Sequence, residues 1–348
     1  MSILEFKRPL DGGSALEPRP IPDEAKRRLQ ILFIAKHALW GGGMHPEDGN
    51  HAIYHHEVRT ALEGMGLNLT LADRYDLLFQ RPAVDFVFPL LNRGGFVNSE
   101  MLLPLLCNMH RIPYIGGGPI VRGLGDDKHL SKVVSARAGV PTAPWGFFRR
   151  GAPVEQADCP PGDRWVIKPN ASSASWGISD AHDWSGVVNA VAGIHEQGHD
   201  AIVEPYLDGY DVQVAFITID QPVMLPMLIY EREDTQRLWT YYEKRDLVTN
   251  NEKSSLKQFD DPEWGPVIAE HAAKIAREFR PFDYGRIEFR FNRDQGEVNF
   301  LEINLNCNLW SEKVMAKAAA AAGFSHSELI ETILSESMRR QGLFARAG

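Results

Sequence analysis

No apolar run in the chain approaches the roughly 20 residues of a membrane-spanning helix, and residues 1–13 lack the apolar core of a secretory signal, so neither membrane insertion nor export is expected. Cysteine is scarce. Cys107, Cys159 and Cys307 are an odd number with no close pairing, which fits reduced thiols in the cytoplasm better than a disulfide framework or a zinc site. Basic runs are absent too, and the net charge of -9 argues against a nucleic-acid backbone or an anionic membrane as the main partner, though not against a local phosphate pocket. No internal repeat is visible. What is present is ordinary for a globular enzyme: 348 residues, 44% of them apolar, give room for two or three packed units.

The most informative stretch is 282–308, FDYGRIEFRFNRDQGEVNFLEINLNCN. Ile287, Phe289 and Phe291 alternate with Arg286, Glu288 and Arg290, and Leu301 and Ile303 alternate with Phe300, Glu302 and Asn304, which predicts two strands with one oily and one polar face each. Asn292, Arg293, Asp294 and Gly296 supply a turn between them. A register centred on Gln295 sets Glu288 directly across from Glu302, with Arg286 and Asn304 on the same side. Two carboxylates on the order of 5 Å apart repel by about 3 kcal/mol at an effective dielectric of about 20, so a cation belongs there. Oxygen donors without His or Cys suit Mg²⁺, whose octahedron is completed by phosphate and water, and that points to a nucleoside triphosphate. The alternative is a half-exposed hairpin whose Arg286, Glu288 and Arg290 form surface ion pairs.

Taken in order, residues 1–28 carry Pro9, Pro18, Pro20 and Pro22 among polar neighbours and read as an extended leader. Short apolar strands over 31–35, 67–71, 86–90 and 112–115, with helical spacing over about 50–64 and 99–109, imply a doubly wound parallel sheet. Gly41, Gly42 and Gly43 follow the first strand, either as a tight loop or as amides approaching an anion. His51 and His55 share a helix face beside His45 and His56, but the sequence offers no third metal ligand. A helix over 126–138 puts Lys128 and Lys132 on one face, and a strand over 164–168 ends in Lys168 before a run of small residues to Gly177. An ammonium beside such a loop is suited to covering phosphates; the alternative is a polar turn with a solvated lysine. Further strands over 202–206, 212–219 and 223–229, a polar lid-like stretch over 231–258, and helices over 262–279, 311–322 and 325–339 complete the chain.

Together DDKHLSK, VIKPNASSASWGIS, IVEPYLDGYDV, GRIEFRF and FLEINLN stand in the order and approximate spacing of the ATP-grasp enzymes, and from about 85 to 343 the chain most resembles the D-alanine–D-alanine ligases. The resemblance implies an α/β (α+β) ATP-grasp fold: an N-terminal doubly wound substrate domain over 29–118, a central lid domain over 119–205 and a C-terminal antiparallel-sheet catalytic domain over 206–348. It implies ATP with Mg²⁺ or Mn²⁺, small carboxylate and amine substrates, and a homodimer. In it Lys128 and Lys168 resemble the lysines that neutralise ATP phosphates, and the loop with Ser172, Ser173, Ser175 and Gly177 the one that closes over the γ-phosphate. Glu204, Pro205, Tyr206 and Leu207 resemble the hinge that meets adenine, and Asp211 the acid that takes the ribose hydroxyls. Glu288, Glu302 and Asn304 resemble the magnesium ligands, Arg286 the cation beside the reacting phosphoryl group, and Tyr242 and Lys244 the lid residues that reach over the substrates.

The departures concern substrates. Where these ligases carry a Pro-Gly-Met turn, this chain has Cys307, Asn308 and Leu309, and Lys313 and Val314 match the serine and leucine that receive the second amino acid's carboxylate. The segment 92–98 replaces the family's His-Gly and Glu-Asp-Gly elements, and an N-terminal Ala-Glu element has only a loose counterpart around Glu47. Lys313 reads either as a ligand for another acceptor's carboxylate or as an exposed helix-start lysine. The expected reaction is an ADP-forming ligation of a small carboxylic acid, an amino acid, to an amine through an acyl phosphate, with substrates other than the D-alanine pair; the alternative is an ATP-grasp kinase acting on a hydroxyl.

Overall fold

Strand β1 (Gln30–Ile34) is buried on both faces, as its unbroken apolar run demands. It lies between β2 (Asn68–Ala72) and β3 (Phe86–Pro89) in a parallel sheet ordered β2-β1-β3. Ile31 and Phe33 face the helix His51–Gly64 through Val58 and Leu62, while Leu32 and Ile34 face the helix Leu102–His110 through Leu103 and Leu106. The sheet is therefore covered on both sides, the expected doubly wound arrangement. The computed structural model describes residues 16–91, 99–173, 175–231, 238, 241–244 and 255–345. Among them no helix is long and apolar enough to cross a membrane.

A four-stranded antiparallel sheet follows, ordered β4-β7-β5-β6, from β4 (Gly146–Phe148), β5 (Trp165–Pro169), β6 (Ser179–Ala181) and β7 (Ala201–Pro205). The helix Trp184–Glu196, capped by Asp183, buries Val187, Val191 and Ile194 against it. The largest sheet holds β8 (Tyr210–Ile219), β9 (Gln221–Met224), β10 (Leu228–Glu231), β11 (Ser255–Gln258), β12 (Tyr284–Asn292) and β13 (Glu297–Asn304), ordered β11-β10-β8-β12-β13 with β9 paired to β8. One face packs on the helix Trp264–Glu278. The other shares a core with the first sheet through the helices Val314–Ala321 and His326–Arg340.

Four expectations change, the first being the single strand over 223–229, which is two, β9 and β10, both paired to β8. Residues 16–28 are no extended leader: the helix Asp23–Arg28 and the segment before it are packed, with Ile21 and Ala25 buried, the Ile21 N–H donating to Glu331 at 3.0 Å and the Arg19 N–H to Thr332 at 2.9 Å. Proline spacing signalled an extended path but not the groove that receives it. Residues 112–115 form no strand, only a single parallel bridge of Tyr114 to Val87. In β13 the alternation breaks: a bulge follows the Glu288–Glu302 pair, so Phe300 turns into the core and Leu301 onto the polar side.

Replacing Ile21 by Ala should lower stability by about 2–4 kcal/mol in urea unfolding. A loss of under about 0.5 kcal/mol would mean that the N-terminal segment is not part of the core.

Candidate active site

On the site side of the bulge the register is the one centred on Gln295, with Glu288 across from Glu302 and Arg286 across from Asn304. Glu288 accepts from Gln213 Nε2 and Asn304 Nδ2, both at 3.1 Å, and pairs with Arg286. Glu302 accepts from Asn304 Nδ2 at 2.9 Å and has Lys128 Nζ at 3.8 Å. The repulsion of the facing carboxylates is thus offset inside the chain by a guanidinium, an ammonium and two amides. Burial alone would raise the Glu302 carboxyl; Lys128, Asn304 and Arg286 hold it well below the usual carboxylate range. These groups border a cleft of about 690 Å³ whose lining draws on all three sheets and their loops. Two carboxylates and a side-chain amide, with no nitrogen or sulfur ligand among them, fit a hard divalent ion once the Asn304 amide turns its Oδ1 inward.

Asp127 caps the helix Lys128–Arg137 by accepting from the Leu130 N–H at 2.8 Å, which sets Lys128 at its first position and Lys132 one turn on, over the same face. Lys128 Nζ donates to the Ser172 carbonyl at 2.9 Å. Lys132 is wholly buried and reaches Glu204 at 2.9 Å and Thr142 Oγ1 at 2.6 Å; that hydroxyl donates onward to the Phe300 carbonyl at 2.8 Å. Lys168 takes the second Glu204 oxygen at 2.6 Å. Burial would raise the Glu204 carboxyl, but the two ammonium groups bring it down to about 2. Burial pushes the Lys132 ammonium down, with Glu204 opposing.

Sequence reasoning noted Lys132 only as a neighbour of Lys128 and missed Gln213 altogether. Partners far apart in the chain carry no local signal.

The loop after β5 brings Ser172, Ser173 and Ser175 to the cleft. Gly177 is outside the lining but shapes the loop: at φ 71 a Cβ would lie 2.7 Å from the Pro169 ring. Glu204, Pro205, Tyr206, Leu207 and Asp211 line the cleft, Asp211 with Arg290 Nη1 at 3.2 Å. Of the lid, the helix Tyr241–Lys244 places Tyr241 in the cleft wall, whereas Tyr242 is 61% exposed and not in it. The side chain of Lys244 and the segment 92–98 lie outside the described residues. Glu47 is exposed, and its neighbour Asp48 faces the cleft instead. Lys313 lines the cleft rather than standing in solvent, with Nζ 5.5 Å from the Trp310 ring, beside Asn306, Cys307 and Asn308; Leu309 is core.

A family model described as the D-ala D-ala ligase C-terminus matches residues 134–335, more than half of the chain. The chain belongs to the D-alanine–D-alanine ligase family. These are ATP-dependent ligases that form C–N bonds on the ATP-grasp fold, and this chain is an enzyme of that kind. It is 29% identical over 240 residues to the uncharacterized protein y4sG of Sinorhizobium fredii, covering 68% of this chain and 70% of that one. It is 24% identical over 264 residues to the D-alanine–D-alanine ligase of Acetivibrio thermocellus, covering 74% and 69%. The ATP complex of the Bacillus anthracis D-alanine–D-alanine ligase superposes with a TM-score of 0.70 at 18% identity, over 90% of this chain and 98% of that one.

Glu204→Gln leaves two buried ammonium groups without their counter-charge and should cost about 3–5 kcal/mol in urea unfolding at neutral pH. A folded carboxyl depressed from 4.5 to about 2 contributes stability that is complete above pH 4.5 and lost as pH falls towards 2, so the variant should show a flatter acid limb. Equal stability of variant and parent at neutral pH would contradict this account of the ion triad.

Proposed function

We propose that the protein transfers the γ-phosphoryl group of ATP to the carboxylate of a small amino acid, releasing ADP, and that an amine other than D-alanine then displaces phosphate from the acyl phosphate to give an amide. The observation that carries this reading is the convergence of Lys128, Arg286, Glu288, Glu302 and Asn304 on one wall of a cleft that also holds the Lys168 strand end and the serine loop. Lys128, Lys168 and the loop amides are suited to cancelling triphosphate charge. Glu288, Glu302 and Asn304 would hold Mg²⁺, which when bound supplies charge neutralisation at the phosphates. Arg286, pinned by Glu288, offers a planar cation to the acyl phosphate and to the tetrahedral species after amine attack. Pro205 to Leu207 would meet adenine and Asp211 the ribose. Lys313 beside Asn306 and Asn308 supports an acceptor that presents an anionic group where the relatives bind a second amino acid. Three cysteines without a disulfide fit a cytoplasmic setting.

A kinase would use the same nucleotide site, and the fate of the phosphate separates the two. Amino acids and small amines supplied in pairs should release ADP and free phosphate and give an amide by mass spectrometry; phosphate retained on the product would establish the kinase. Glu302→Gln should lower kcat by at least about 100-fold while changing the affinity for ADP by less than about tenfold. Undiminished turnover in that variant would sink the assignment of Glu302.

A further inference from the structure

His37 and Asp48 stand in the loop between β1 and the helix His51–Gly64, and His51 opens that helix. The loop is closed tightly around Asp48: the His45 N–H donates to the Gly49 carbonyl at 3.0 Å and the Gly49 N–H to the His45 carbonyl at 2.8 Å. Around Asp48 Oδ2 lie His37 Nε2 at 2.7 Å, Lys36 Nζ at 2.7 Å and His51 Nδ1 at 3.8 Å. Asp48 and His37 are only 4% and 7% exposed. One ligating atom from each of His37, Asp48 and His51 falls within a span of 4.8 Å.

Two imidazole nitrogens and one carboxylate oxygen make the three-ligand set that borderline divalent ions take. With metal–ligand distances of about 2.0–2.2 Å, ligand atoms stand about 3–3.6 Å apart, a spacing that these side chains bracket. The imidazoles are held from behind: the His37 backbone N–H donates to His55 Nδ1 at 3.2 Å, the His37 ring packs on His45 with centroids 4.6 Å apart, and the His51 ring on His55 at 4.4 Å. The buried carboxylate requires positive charge, which Lys36 supplies here from a side chain 59% exposed. An ammonium on a solvated, flexible stem is readily displaced by an ion. The donor set also differs from the oxygen-only wall of Glu288, Glu302 and Asn304, so the two sites would select different metals.

We propose that His37, Asp48 and His51 form a second metal site, for Zn²⁺ or a similar borderline divalent ion, on the N-terminal wall of the cleft and independent of the nucleotide site. Asp48 and His51 both line the cleft, so an ion held there stands within reach of what the cleft contains.

The test is equilibrium dialysis of the full chain against Zn²⁺ in excess Mg²⁺, without nucleotide, with bound metal counted by mass spectrometry. One zinc per chain is expected, weakened at least about tenfold in His37→Ala and His51→Ala, unchanged in Glu302→Gln, and tightened in Lys36→Ala because a competing cation is gone. No stoichiometric zinc, zinc indifferent to both histidine variants, or zinc lost in Glu302→Gln would overturn the proposal. Co²⁺ absorption gives a second readout that does not depend on the alanine variants folding: visible bands of imidazole–carboxylate coordination should appear in the parent and vanish in His51→Gln whose circular dichroism matches the parent, and their persistence there would equally overturn it. With no nucleotide in either assay, failure here leaves the ligase reading standing, and failure of ADP release leaves the zinc result standing.

Discussion

Two carboxylates, Glu288 and Glu302, face each other across an antiparallel pair in a cleft wall that is more protein than water. Such a pair is self-repelling, and the chain keeps it only by surrounding it with donors from four other places: Arg286 on the same strand, Asn304 on the next, Gln213 on β8, and Lys128 from the start of a capped helix. Each of these side chains is held by a different element. The geometry of the site therefore rests on how β8, β12, β13 and that helix are packed, and the shared core behind them fixes it. A site of this kind costs stability in isolation.

The second charged knot, Lys132–Glu204–Lys168, ties the helix after Asp127 to the central sheet. Here the carboxylate is fully enclosed and outnumbered by ammonium groups, and Thr142 links the knot to the Phe300 carbonyl of β13. Lys168 thus sits between a structural partner and the cleft. On the proposed reading, a bound triphosphate would compete with Glu204 for the Lys168 ammonium and so would couple nucleotide charge to the central sheet.

Where local pattern decides structure, the sequence was readable: the alternation in 286–291 and the symmetric turn predicted the Glu288–Glu302 pairing, and the family motifs predicted the fold. Where packing decides, it was not. The bulge that swaps Phe300 and Leu301 leaves no mark in the period, the groove that receives Ile21 lies some 300 residues away in the chain, and Gln213 reaches Glu288 from a strand whose pattern shows only burial. The histidine cluster shows the same limit. His51 and His55 share a helix face and their rings do pack together, but His37, the other imidazole beside Asp48, stands 14 residues before His51 and is brought in by a loop closure that helix spacing does not describe.

The measurement that bears most directly on the central claim is the anomalous scattering of Mn²⁺ in crystals grown with a non-hydrolysable ATP analogue. Density for the ion between the Glu288 and Glu302 carboxylates, in contact with the analogue's phosphates and with Lys128 and Lys168 turned towards them, is the predicted result. An ion and nucleotide found elsewhere, with both carboxylates still engaged by Arg286, Gln213, Asn304 and Lys128, would contradict it.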